Sequence, residues 1–223
     1  MSNKIFVDTL QVALKQLVVS PGHQLLIKDV SWSMYEEILN DLGENRRSRI
    51  NYSRGILEII APLAEHEDDK VIIGDFVKVI LEEMDREFRS LGSTTFKSQE
   101  MEEGIEADDC FYIENEAKIR GKKRLDLTAD PPPDLAIEID LTSRTKLDKY
   151  RRLGVKELWR FNGKKLEINL LRNGEYLESK ISPSLGDLPL AEVIPEYLTT
   201  SKSEGRNSTM KKFRSWVREE INS

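Results

Sequence analysis

The apolar and polar positions of residues 134–141 alternate strictly, and three prolines come directly before Asp134. Proline opposes a helix and the alternation has a period of two, so the segment is predicted to be a strand. One face would carry Leu135, Ile137, Ile139 and Leu141, and the other Asp134, Ala136, Glu138 and Asp140. The apolar face can be covered by a helix, while the side-by-side carboxylates form a candidate metal site. A strand with a merely charged outer face would show the same pattern.

The periodicity of the first half predicts helices and strands in alternation. Residues 1–30 are weakly patterned and fit a peripheral helix or strand. The elements predicted next are a helix from Ser31 or Ser33 to Leu42 closed by Gly43, a hairpin of residues 49–53 and 56–60, and a long helix from His66 to Leu91 ended by Gly92.

The second half predicts shorter elements. They are a strand at 94–101 that Gly104 breaks, a strand at 109–113, a helical turn and basic loop at 114–124, a helix at 145–153, strands at 155–161, 166–171 and 176–179, and helices at 190–198 and 209–221. The polar stretch 201–208 is predicted to be a linker. The sum is an α/β (α+β) fold: a mixed central sheet flanked by helices, with an antiparallel meander in the second half.

Length and composition favour one globular domain. The 223 residues are 39% hydrophobic, as expected of a globular chain. The predicted division is an N-terminal extension at 1–30, a domain at 31–200, and a linker with a C-terminal helix at 201–223. No apolar run reaches about 18 residues, and the amino terminus lacks a signal-peptide pattern, so we expect a cytoplasmic protein without membrane contact. The single cysteine, Cys110, excludes an internal disulfide and a cysteine-based zinc site.

Charge is distributed unevenly although the net charge is only −6. Basic residues cluster before and after the acidic strand, as an enzyme acting on a polyanion requires. The candidate nucleic-acid contacts are Lys122, Lys123, Arg124, Arg144, Lys149 and Arg151. A solvated helix face and a charged turn would also produce these clusters.

The start of the long helix is a second acidic region, with His66 and Glu67 in its first turn. Acidic side chains there compensate the helix dipole, and a histidine there can be a capping or surface residue as well as a site residue. The sequence contains no phosphate loop, no Gly-x-Gly-x-x-Gly and no Ser/His/Asp set, so nucleotide binding and acyl transfer have no support.

Three groups of residues carry a resemblance to a known family. They are Gly55-x-Leu57-Glu58-Ile59-x-x-Pro62-x-x-x-His66-Glu67; Ile105 to Ile113; and Pro133 to Ser143 with Lys146-x-x-x-Tyr150-x-x-Leu153-Gly154-Val155-x-Glu157-x-Trp159. In these segments the chain resembles the Uma-two family of restriction-endonuclease-like proteins, a bacterial family of the PD-(D/E)xK nuclease superfamily. The likeness runs from about Ser31 to Leu198.

The resemblance implies a set of catalytic residues. Asp108 matches the aspartate of the family's Pro-Asp step, Glu138 the glutamate of the central strand, and Lys146 a lysine displaced onto the following helix. The chain departs from the pattern in having Ala107 in place of the proline, and Asp140 where the superfamily places its lysine.

The resemblance also implies an activity, namely a metal-dependent DNA endonuclease that hydrolyses phosphodiester bonds. Asp108 and Glu138 would bind Mg²⁺, or Mn²⁺ as a substitute, and Lys146 would polarise water. His66, Glu67 and Asp140 would complete the site, and a homodimer would suit cleavage of both strands. The alternatives are an inactive nuclease-fold protein that binds nucleic acid or a partner, and a structural dimer built through the last helix.

Overall fold

The computed structural model describes residues 4–7, 10–13, 16–43, 48–122, 125–139 and 147–222. The strands in these ranges are β1 (Lys4–Val7), β2 (Leu10–Ala13), β3 (Gln24–Ile27), β4 (Arg49–Ser53), β5 (Ile56–Ile60), β6 (Arg89–Ser90), β7 (Thr95–Ser98), β8 (Glu103–Glu106), β9 (Asp109–Tyr112), β10 (Leu135–Ile139), β11 (Glu157–Phe161), β12 (Leu166–Arg172) and β13 (Glu175–Ser179). The helices are α1 (Trp32–Leu42), α2 (Ala64–Glu83), α3 (Glu116–Ile119), α4 (Leu147–Arg152), α5 (Leu190–Glu204) and α6 (Arg206–Ile221).

The strands form two main sheets and a small hairpin of β1 and β2. The six-stranded sheet has the order β13-β12-β11-β10-β9-β6, and in it β10 and β11 are parallel while the other neighbours are antiparallel. The five-stranded sheet has the order β3-β5-β4-β8-β7 and is antiparallel throughout. The predicted mixed sheet and its antiparallel meander are confirmed, whereas the second sheet was not predicted.

The core of the six-stranded sheet lies between β10 and α2. Ile137 and Leu135 are fully buried in one apolar cluster with Ile73, Phe76 and Ile80 of α2. The alternation of β10 and the three-and-four spacing of α2 place these side chains on facing surfaces. This packing is the reason that the opposite face of β10 is free to carry polar groups.

The predicted first helix and hairpin are both confirmed. The Ser31 hydroxyl accepts a hydrogen bond from the Met34 amide at 3.2 Å, and Gly43 ends α1 with φ 68°. Arg54 and Gly55 both have positive φ, 45° and 84°, as a two-residue hairpin turn requires.

The long helix is shorter than predicted. It ends at Glu83 instead of Leu91, because Asp85 adopts φ 52° and the Arg86 amide donates to the Leu81 carbonyl at 3.0 Å. This is the hydrogen bond of a Schellman cap, which reverses the chain. The segment beyond it forms β6, which pairs with β9 at the sheet edge.

Gly104 lies inside a strand and does not break one. A Cβ atom at this position would overlap the hydroxyl oxygen of Tyr35. Glycine is present because α1 packs this closely on β8.

The polar stretch predicted as a linker is helical, and only Gly205 separates α5 from α6. Two of its hydroxyl groups find partners within the helices, since Ser203 donates to the Thr199 carbonyl and Ser208 to the Glu204 carbonyl. Composition therefore misled the prediction here, although the domain boundaries themselves stay a prediction. In the ranges that the structure covers, no helix combines the length and apolarity needed to cross a bilayer.

The last helix packs on the core of its own chain. The rings of Phe213 and Phe76 are 4.4 Å apart between centroids, and Arg214 forms an ion pair with Glu82 at 2.7 Å. Apolar and ionic contacts thus both hold α6 against α2.

Candidate active site

Asp108 directly precedes β9, and Glu138 lies on β10, the neighbouring strand of the six-stranded sheet. Asp109 faces Ile137 in the antiparallel register of β9 and β10, so Asp108, one residue before β9, lies near the end of β10 that carries Glu138 and Ile139. The Ile139 amide of β10 donates a hydrogen bond to Oδ2 of Asp108. Asp108 contacts Arg49 of β4 and Glu138 contacts Tyr150 of α4, so neither carboxylate lies in the apolar cluster between β10 and α2.

The Asp108 carboxylate is fully buried and forms an ion pair with Arg49 of β4 through Oδ1. The same guanidinium donates to Oε1 of Glu67 at 2.7 Å, and Lys70 donates to the other oxygen of Glu67. Burial acts to raise the pKa of Glu67, but Lys70 and Arg49 outweigh it and lower the pKa. Asp108, Arg49 and Glu67 therefore form one connected ionic chain.

Glu138 is also buried, and its Oε1 accepts a hydrogen bond from the hydroxyl of Tyr150 on α4. Burial and the charge of Glu138 raise the pKa of Tyr150 well above its ordinary value. The phenol therefore keeps its proton and acts as a donor that fixes the Glu138 carboxylate.

A second ionic contact joins α4 to the five-stranded sheet. Lys149 is buried and its Nζ lies 2.8 Å from Oε2 of Glu58, which also accepts from Asn51 at 3.1 Å. The Asn51 side chain in turn accepts the Glu106 amide at 3.0 Å. These contacts connect α4, β5, β4 and β8 through polar groups alone.

The alternation of the β4–β5 hairpin explains why its polar residues face the site. Ile50 and Tyr52 are buried against α1, so Arg49, Asn51 and Ser53 project from the other face. Asn51 is the register partner of Glu58, which places both side chains on that same face. Sequence reasoning missed Arg49 and Asn51, although this alternation was the signal for them.

His66 is buried at the start of α2, and its Nε2 has no hydrogen-bond partner among the described residues. Burial and, secondarily, the nearby positive charge of Arg49 lower its pKa. The imidazole is therefore held in its neutral form beside the Arg49–Glu67 pair.

Two carboxylates with hard oxygen donors fit Mg²⁺, which needs only one or two from the protein and retains several waters. The ion pair with Arg49 shows that the buried Asp108 carboxylate attracts a cation. Within the ranges covered, no group of three or more His, Cys, Asp or Glu side chains is placed to hold an ion. The donor set thus fits a sparsely coordinated Mg²⁺ in kind, with Asp108 and Glu138 as the residues that would hold it.

The Uma2 (Uma-two) family model, described as "Putative restriction endonuclease", matches residues 32–201, well over half of the chain. The chain belongs to this family. A solved structure described as "a putative nuclease belonging to DUF820" from Anabaena variabilis ATCC 29413 is similar with a TM-score of 0.50 and 14% identity, over 71% of this chain and 96% of that one. It supports the fold alone. A search of curated proteins finds no match.

Five of the residues predicted from the family resemblance or from the basic clusters cannot be compared with the structure. Lys146, Asp140, Arg144, Lys123 and Arg124 lie outside the described residues. Their predicted roles stay predictions.

The basic residues predicted to contact nucleic acid are paired with carboxylates wherever the structure describes them. Lys122 forms an ion pair with Asp130, and Arg151 one with Glu175 at 2.6 Å. Lys149 is buried beside Glu58 instead of exposed to solvent. Contact with nucleic acid stays a prediction for all three.

Proposed function

We propose that this Uma2-family protein is a metal-dependent DNA endonuclease that hydrolyses phosphodiester bonds, with Asp108 and Glu138 as its Mg²⁺ ligands. The observation that carries the proposal is a pair of buried carboxylates, one directly before β9 and one on the adjacent strand β10, each fixed by its own donor. Membership of a family described as restriction endonucleases and the nuclease-like fold support the same activity.

Bound Mg²⁺ would supply a water of lowered pKa and neutralise charge that develops on the phosphate. The protein groups would orient this centre. The Ile139 amide fixes Asp108, and the Tyr150 hydroxyl fixes Glu138. Lys146 is proposed to polarise the attacking water, with His66 and Glu67 in supporting positions.

DNA is the proposed substrate, and the proposed contacts to its backbone are Lys122, Lys123, Arg124, Arg144, Lys149 and Arg151. The paired cations among them would exchange a carboxylate for a phosphate. We further propose a homodimer, because two centres related by a two-fold axis could cut both strands. Sedimentation of the full chain with and without duplex DNA tests this arrangement, and a monomer under both conditions would contradict it.

Cleavage of supercoiled plasmid with Mg²⁺ or Mn²⁺ tests the activity. Asp108→Asn and Glu138→Gln should each lower the rate at least about a thousand-fold, because the metal supplies several kcal/mol and each ~1.4 kcal/mol is a factor of ten. Glu178→Gln is the matched control, since this exposed carboxylate pairs with Lys165 at the far edge of the sheet. Unchanged cleavage in both site variants would defeat the proposal.

A second candidate is a nuclease-fold protein that binds nucleic acid or a partner without cutting. The ion pair between Asp108 and Arg49 favours it, because that carboxylate is already neutralised without a metal. Calorimetric titration with Mg²⁺ separates the two functions. A nuclease should bind the ion through Asp108, whereas an inactive scaffold should show no binding that Asp108→Asn removes.

A further inference from the structure

Arg49 is paired with one oxygen of Asp108, the carboxylate that would help to hold the divalent cation. The two oxygens of this fully buried carboxylate have separate partners, with Oδ2 accepting the Ile139 amide and Oδ1 paired with Arg49. The Arg49 side chain is itself only 11% exposed. A buried carboxylate without a cation is costly, so Arg49 stabilises Asp108 when no metal is bound.

Arg49 also has a second acceptor close at hand. Its Nη2 donates to Glu67 at 2.7 Å while Nη1 faces Asp108, so the guanidinium bridges the two carboxylates. The Glu67 side chain is 42% exposed and lies in the first turn of α2, at the solvent side of the bridge. A small movement toward Glu67 would therefore keep Arg49 paired while it leaves Asp108.

Two cations cannot share one buried carboxylate oxygen without strong repulsion, because the charges would lie within contact distance in a medium of low polarity. Resting on the proposed function, we propose that Arg49 competes internally with the divalent cation for Asp108, and that cation binding transfers the guanidinium to Glu67. Arg49 is then a positioning residue that keeps the centre folded when empty and sets its cation affinity. The measured affinity is then the intrinsic affinity multiplied by the fraction of molecules in which Arg49 has left Asp108.

The transfer predicts a specific ordering of Mn²⁺ affinities in calorimetry on the full chain. Arg49→Gln should bind Mn²⁺ at least tenfold more tightly than the wild type. Lys70→Gln is the matched control, because it removes a positive charge that pairs with the same Glu67, and no contact joins Lys70 to Asp108. Lys70→Gln should tighten Mn²⁺ binding far less than Arg49→Gln, since it only lowers the positive electrostatic potential around the site.

Glu67→Gln removes the second acceptor and should weaken Mn²⁺ binding several-fold. In the Arg49→Gln background the same change should have a much smaller effect on Mn²⁺ affinity, because residue 67 then has no guanidinium to accept. An equal effect in both backgrounds would mean that Glu67 acts by charge alone, and this would overturn the transfer. Circular dichroism establishes that each variant is folded.

A measurement on the wild type needs no substitution. The side-chain Nε–H resonance of Arg49 should shift during a Mg²⁺ titration, with the same midpoint as the calorimetric isotherm. An unchanged resonance at saturating Mg²⁺ would overturn the inference and leave the proposed nuclease standing. If neither the wild type nor Arg49→Gln binds Mn²⁺, the cation site fails and both proposals fall with it.

Discussion

The two faces of β10 show how differently one strand can be used. Toward α2 it presents Leu135 and Ile137, which pack among other hydrocarbon side chains. Toward α4 and the five-stranded sheet it presents Glu138, which has a directed hydrogen bond from Tyr150. The first face requires only apolar side chains of suitable volume, whereas the second requires a particular partner for each group.

The polar face draws its partners from segments far apart in the chain. Arg49, Glu67, Glu138 and Lys149 come from β4, α2, β10 and α4, and each lies in an ion pair or directed hydrogen bond. Removing two charges from water costs free energy even when they pair with each other. Hydrophobic residues of similar volume would therefore stabilise the fold equally well. We therefore expect the apolar face to stabilise the fold, whereas the polar face carries the site of the proposed chemistry.

The largest expected effect comes from breaking a buried pair on the polar face. Lys149→Met should lower the free energy of unfolding by about 3–5 kcal/mol, because Glu58 would lose its buried counter-ion. Urea denaturation measures the change. Lys165→Met, which breaks an exposed pair with Glu178, is the control and should leave the free energy of unfolding almost unchanged, because solvent screens an exposed pair. Equal losses in both variants would remove the distinction between buried and exposed pairs.

A truncation on the apolar face should separate stability from chemistry. Ile137→Ala should lower the free energy of unfolding by about 2–5 kcal/mol, since it leaves a cavity against α2. Mn²⁺ affinity, measured by calorimetry below the unfolding temperature, should stay at the wild-type value. A change in affinity comparable to that of the site variants would show that the two faces are not independent.

Tyr150→Phe removes one hydroxyl from the polar face. It should cost about 1–3 kcal/mol, because Glu138 loses a buried donor. Mn²⁺ binding should weaken by about 10–100-fold, as expected when a ligand loses the group that orients it. Tyr176→Phe is the control, since its hydroxyl donates to the Val155 carbonyl at 2.6 Å. It should leave the affinity unchanged, and equal affinities for all three proteins would contradict the role of Tyr150.

The smallest effect concerns the pH dependence of His66. Its pKa is lowered in the fold, chiefly by burial, so below the ordinary value of 6.5 the unfolded chain binds more protons than the native one. Stability therefore falls as the pH drops from 6.5 toward the lowered pKa. His66→Gln should make the unfolding free energy less dependent on pH between about 5.5 and 7.5. Identical pH profiles for the variant and the wild type would contradict this assignment.

Local patterns predicted the elements that a single rule governs. The proline run and alternation identified β10, and the serine cap and terminal glycine identified α1, because these signals lie within the elements themselves. The end of α2 was predicted too late, because Phe88 continues the helical spacing although the chain has already reversed at Asp85. Gly104 was misread for a similar reason, since its cause is the approach of Tyr35 from another element.

The candidate site was predictable only in part. Glu138 followed from the alternation of its strand, and Asp108 from the family resemblance. The alternation of β4 indicates the face on which Arg49 lies but not its pairing with Asp108, because that contact depends on the packing of the two sheets. Lys149 was predicted to contact nucleic acid because it lies in a basic run, whereas the structure buries it beside Glu58.

A Mn²⁺ soak of crystals, with the anomalous difference map calculated at the manganese edge, tests the central claim most directly. The account predicts a peak about 2.0–2.6 Å from oxygens of both Asp108 and Glu138, with Arg49 displaced from Asp108. No peak at saturating Mn²⁺, or a peak bound elsewhere with the Arg49–Asp108 pair intact, would contradict it.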